Sequence, residues 1–87
     1  MKTYLIIYST DEDTRKIVSR IKTFNNWIRV KNRVWCISTE TESSKDVRDK
    51  FDTILKPTDL LLVIDISKSS WAAVNLPENV VYWLKER

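Results

Sequence analysis

The 87-residue chain has no histidine, no glycine, one cysteine and two prolines. Without histidine, the serine–histidine and cysteine–histidine mechanisms lose their base. The single thiol, Cys36, forms no internal disulfide, and without histidine or a second cysteine a zinc site lacks ligands. With glycine absent, asparagine is the residue best able to take a left-handed conformation, so Asn25 and Asn26 are expected to end the first helix. Long apolar runs are missing too. None approaches the roughly 20 residues of a membrane-spanning helix, and MKTYLIIYSTDED has no small-residue cleavage site after its short hydrophobic stretch. The expectation is a cytoplasmic protein with no membrane partner.

What is present is globular in character: 43% of residues are hydrophobic and 31% charged. That length makes one domain with no room for a large buried active-site cavity. Thr3 to Ser9 reads as a strand of the buried type, rich in β-branched and aromatic residues without polar alternation. Thr10 and Asp13 have capping-box spacing, and Ile17, Val18, Ile21 and Phe24 fall on one side of a helix running to about Phe24. WIRVKNRVWCIS reads as two short strands around Lys31 and Asn32, the first half-exposed because Trp27, Arg29 and Lys31 alternate with Ile28 and Val30. Cys36 alternates with Val34, an ordinary buried strand position for an unreactive thiol. Trp35 is expected in the core or against a helix.

Ser43 and Ser44 precede a second helix in which Val47, Phe51, Ile54 and Leu55 recur at helical spacing. Its other face pairs Asp46 with Lys50 and Arg48 with Asp52, a solvated surface. Pro57 closes it, and DLLLVIDIS, Asp59 to Ser67, is a second strand of the buried type. SSWAAVNL suits a short strand, and Pro77 with Glu78 opens a last helix carrying Val80, Val81, Trp83 and Leu84. This order predicts an α+β ferredoxin-like βαββαβ sandwich over residues 1–67, with a C-terminal strand and helix extension over residues 68–87. In that topology the apolar fourth strand lies at an edge, which invites aggregation unless covered. The SSWAAVNL segment, from the same chain or a partner, is the expected cover.

LIIYSTDEDTRKIV, RVWCIS and DLLLVIDI with a short tail resemble the small CRISPR-associated protein of the spacer-acquisition complex, the Cas-two family. The tail WAAVNLPENVVYWLKE is similar to that of Cas-two-like proteins labelled "SinR family", although no helix-turn-helix is present. The resemblance spans nearly the whole chain on short motifs. It implies a ferredoxin-like homodimer with sheets joined through exchanged C-terminal strands. It further implies double-stranded nucleic-acid binding and, in some members, metal-dependent nuclease activity. The family's metal ligand is an aspartate directly after the tyrosine that ends the first strand, and here Tyr8 is followed by Ser9. A neutral hydroxyl adds little to a magnesium shell, so no cofactor is expected unless the chain is a nuclease. Asp11 and Asp13 suit capping and dipole stabilisation as well as they suit a metal. Asp65, a carboxylate within an apolar strand, reads as an edge position, a hydrogen-bonded dimer contact or a second ligand.

Charge is segregated along the chain. Between Thr14 and Thr39 stand Arg15, Lys16, Arg20, Lys22, Arg29, Lys31 and Arg33 with no acidic residue, whereas the rest holds eight basic and twelve acidic residues. Two readings follow: a phosphate-binding surface beside Trp27 or Trp35, or plain solubility and pairing with the acidic half of another subunit. Trp27 is also a candidate for base stacking. Leu62, Ile64, Ile66, Trp71, Val74 and Trp83 are the candidate dimer contacts, with Trp71 and Trp83 pinning the tail at the seam. The leading expectation is a non-catalytic homodimer binding double-stranded DNA or RNA. The alternative is an adaptor dimer that engages another protein in a defence or mobile-element system, and a metal-dependent endonuclease stands third.

Overall fold

A computed structural model describes residues 1–11 and 13–87. Its elements are β1 (Lys2–Ser9), α1 (Arg15–Ile21), β2 (Asn26–Lys31), β3 (Val34–Thr39), α2 (Ser44–Asp52), β4 (Leu60–Asp65) and α3 (Glu78–Lys85). The strands form a four-stranded antiparallel sheet ordered β2-β3-β1-β4. Together with three helices, this is compatible with a ferredoxin-like α+β fold. Among the described residues no helix is long and apolar enough to cross a membrane.

The pleat divides the sheet into two unlike faces. Tyr4, Ile6 and Tyr8 of β1 share a face with Trp35 and Ile37 of β3, and all five belong to the main core with Ile17, Ile21 and Phe24 from the α1 region and Val47 and Phe51 from α2. Burial of those side chains drives the helices onto this face. The opposite face carries Thr3, Leu5 and Ile7 of β1, Cys36 and Ser38 of β3, and Leu60, Leu62 and Ile64 of β4. Helix α3 packs against β2, and its neighbour Arg87 donates from Nε to Ser38 Oγ at 3.0 Å. Cys36 and Ser38 are buried there, whereas Leu60 and Leu62 remain 68% and 54% exposed.

Local chemistry explains the best-defined boundary. Ser43 caps α2 by accepting from the Asp46 amide at 3.1 Å, and the Asp46 carboxylate accepts from the Ser43 amide at 3.0 Å, a reciprocal capping box. Those bonds hold the Asp46 pKa below the ordinary aspartate value. The expected box at Thr10 and Asp13 does not form. The cap residue of α1 is Thr14, without a side-chain bond, while Asp13 Oδ1 accepts from the Arg15 amide at 2.9 Å.

Other expectations are corrected. SSWAAVNL forms no strand, so the predicted extension is a coil followed by α3, and that coil adds no rung to the β4 edge. β4 is covered on one face only, so its unbroken apolar run does not denote burial on both. α1 ends with Lys22 in a right-handed conformation, and among the described residues the positive φ angles belong to Arg33 (66°) and Asn75 (62°), not to Asn25 or Asn26. α2 ends at Asp52, ahead of Pro57, and its ion pairs are Arg48 with Asp49 and Lys50 with Glu42.

Candidate functional site

The seven basic residues of the 14–39 segment do not share one surface. Helical spacing sends them to different sides of α1: Val18 and Lys22, four residues apart, face the β2–β3 hairpin, whereas Arg15, Lys16 and Arg20 line a groove beside Ile54. Arg15 is ion-paired with Asp13, whose pKa is lowered chiefly by the hydrogen bond from the Arg15 side chain. Arg20 donates to the Lys50 carbonyl oxygen at 2.6 Å. Lys31 pairs with Val34 beyond an irregularity in the β2–β3 ladder, on the sheet face away from Trp35.

Three of the seven converge. Lys22, Arg29 and Arg33 line a cleft of about 560 Å³ with Tyr8, Trp27, Trp35 and Asn32, and no carboxylate is among its described lining residues. Ligand clefts fall in the range of roughly 300–1,000 Å³. Register builds the wall: Arg29 lies directly opposite Trp35, and Trp27 is two residues along the same face of β2. The Trp27 and Trp35 rings are tilted by 55° with centroids 5.7 Å apart. The Arg29 guanidinium is held by the Asn32 side-chain oxygen, so one of the cations is oriented. Arg33 sits in the left-handed region, which costs a non-glycine residue roughly 1–2 kcal/mol.

Trp35, one of the lining residues, carries an unusual group. Trp35 is 4% exposed, and its Nε1–H has no acceptor among the described residues. A buried indole N–H ordinarily finds a partner, and leaving one without costs about 1–3 kcal/mol. The Glu42 Oε2 atom, which also makes no hydrogen bond, instead has the Lys50 ammonium at 2.9 Å.

Of the acidic candidates, Asp13 and Asp65 make local hydrogen bonds. Asp65 accepts from both the amide and the hydroxyl of Ser67, at 2.9 and 2.6 Å, and these bonds lower its pKa. Ser9 and Asp11 are exposed, and Glu12 lies outside the described residues. Among the described residues no group of three or more histidine, cysteine or acidic side chains is placed to hold a metal.

The candidate dimer residues divide as well. Leu62 and Ile64 join Ile7 and Leu60 in an exposed apolar patch over the β1–β4 half of the second face. Val74 and Trp71 are exposed on the tail, Ile66 is half-buried, and half-buried Trp83 lies under the Arg87 guanidinium, 3.7 Å from its ring centroid. Sequence reasoning missed Ile7 and Leu60, although the alternation of Leu60, Leu62 and Ile64 with Leu61 and Val63 was there to be read. It also missed Tyr8 and Asn32 in the cleft. Comparison with family models, with curated proteins and with solved structures found no match.

Proposed function

We propose that the chain is a Cas-two-like, non-catalytic homodimer of ferredoxin-like topology that binds double-stranded nucleic acid through its basic surface. One observation carries this reading: Lys22, Arg29 and Arg33 meet at a cleft with no carboxylate among its described lining residues. A phosphate backbone is the extended polyanion that such a surface suits. Self-association supplies a second copy of that surface. Its support is the patch of Ile7, Leu60, Leu62 and Ile64, apolar side chains that a small domain leaves uncovered at a cost in solubility. Ser9, standing where the resemblance calls for a carboxylate, supports binding without cleavage.

The same patch favours a second reading, an adaptor that docks another protein by its apolar face. A titration of fluorescent blunt duplex DNA and RNA at several salt concentrations separates the two. Sequence-insensitive binding that weakens steeply with salt is expected. No binding even at about 50 mM salt eliminates the nucleic-acid reading and leaves the adaptor.

A further inference from the structure

Duplex phosphates need only the rim of the Lys22–Arg29–Arg33 cleft, and its interior calls for a different occupant. Three exposed cations stand around an opening whose wall is the partly exposed face of Trp27 and whose floor holds Tyr8 and Trp35. The buried Trp35 Nε1–H has no acceptor among the described residues. A ligand that satisfies all of these carries negative charge at one end and a planar ring at the other. A bare phosphate leaves the indole surface unused, and a neutral aromatic leaves the cations unused.

We propose that this cleft takes one unpaired nucleotide. Its phosphate lies among Lys22, Arg29 and Arg33, and its base lies against Trp27, next to Trp35 in the lining. Stacking on tryptophan tolerates any base, because every base presents a π-face, and Lys22 already lies over the same indole as a cation. The volume of about 560 Å³ admits one unit and not a stacked duplex. The source is either a free nucleoside monophosphate or the terminal nucleotide of a single-stranded overhang. This extends the nucleic-acid reading from the backbone to an unpaired nucleotide, yet the cleft can be tested without any duplex.

The test follows the four indole N–H signals of the intact protein by heteronuclear NMR, each assigned with a single tryptophan-to-phenylalanine variant. Adenosine and uridine monophosphates, the parent nucleosides and inorganic phosphate are titrated separately to about 10 mM. Saturable shifts of the Trp27 and Trp35 signals with the monophosphates are expected, with Trp71 and Trp83 unmoved. Nucleosides are expected to bind at least about tenfold more weakly, as is the monophosphate to the R29Q/R33Q variant, since both lose charge-assisted bonds. Stillness of the Trp35 signal, equal movement of all four signals, or full binding by R29Q/R33Q overturns the proposal. Inorganic phosphate that reproduces the Trp35 shift at the same affinity also overturns it, reducing the cleft to an anion site. A 5′-phosphorylated duplex with a short overhang, compared with a blunt one, identifies the source: overhang-dependent movement of Trp35 assigns the strand end, and movement with monophosphate alone assigns the free nucleotide. Blunt-duplex affinity is measured in parallel. Its loss alone sinks the backbone reading, and loss of the Trp35 response alone sinks this one.

Discussion

The ammonium of Lys22, the C-cap residue of α1, stands 5.2 Å from the ring centroid of Trp27 on β2. This contact joins the helix to an edge strand across the mouth of the basic cleft, and it fixes which cations act together. Lys22, Arg29 and Arg33 surround the opening, while Lys31 belongs to the other face.

The first prediction rests on that division. Each neutralised phosphate contributes roughly −0.9 to the log–log salt slope for B-form DNA, so three contacts per subunit in a dimer predict a slope of about −5. R29E/R33E removes two contacts per subunit and is expected to flatten it to about −2. Arg33→Glu retains a non-glycine residue at the left-handed position, so the backbone cost is the same in both proteins. Lys31→Glu is the control and should change the slope by less than about one. An effect of Lys31→Glu equal to that of the pair contradicts the placement.

The second prediction concerns the uncovered half of the sheet. Leu62 is more than half exposed and lies beside Ile7, so a glutamate there costs little in an isolated chain but inserts an unpaired charge into any face-to-face contact. Light scattering after size exclusion should give twice the chain mass for the parent and the chain mass for Leu62→Glu, with unchanged far-ultraviolet circular dichroism. A parent that runs as a monomer at micromolar concentration removes the dimer.

How much of this was legible depended on how local each signal was. The start of α2 was readable because its cap is made by Ser43 and the residues that follow it. The strands β2 and β3 were readable because alternation needs only neighbouring residues. The second face of β4 was not: Leu60 to Ile64 is apolar at every position, and a run of that kind looks the same whether its outer face is covered or open. The seven basic residues formed one block in sequence, yet α1 turns Lys22 away from Arg15, Lys16 and Arg20. The spacing of Val18 and Lys22 held that information, whereas the meeting of Trp35 with Arg29 required the hairpin register. The tail failed for a reason of context. SSWAAVNL has side chains fit for a strand, but strand propensity is weak and depends on context, and the segment is coil although β4 ends the sheet.

The third prediction tests the capping box. Ser43→Ala removes the side-chain acceptor of the Asp46 amide and should destabilise the domain by about 1 kcal/mol. For a chain of this size that lowers the thermal midpoint by about 4–8 °C. The pH dependence has a definite sign. Folding lowers the pKa of Asp46, so its contribution is present above the unfolded aspartate value of about 3.9 and disappears as pH falls through the lower folded value. Asp46→Asn should therefore narrow its deficit against the parent as pH drops from 6 toward about 2. A deficit that stays constant or grows over that interval shows that Asp46 acts through something other than its charge.

The last prediction uses Cys36 as a reporter of α3. The thiol is buried on the face where Arg87 reaches Ser38, and burial pushes its pKa up to about 11. At pH 8 it is protonated and shielded, so a maleimide or disulfide reagent should label the folded protein only when α3 lifts or the whole domain unfolds. These routes separate by mutation. Val80 is fully buried on α3, and Val80→Ala removes two carbons worth about 0.8 kcal/mol each, enough to raise the population with α3 undocked by about tenfold. Labelling should accelerate by that factor and stay insensitive to low urea, because lifting one short helix exposes little surface. Ile6→Val, in the core on the opposite face, should instead give labelling that rises with urea as global unfolding does. Rapid modification of the parent protein, or equal rates for the parent and Val80→Ala, would falsify the assignment of α3 as the cover over Cys36.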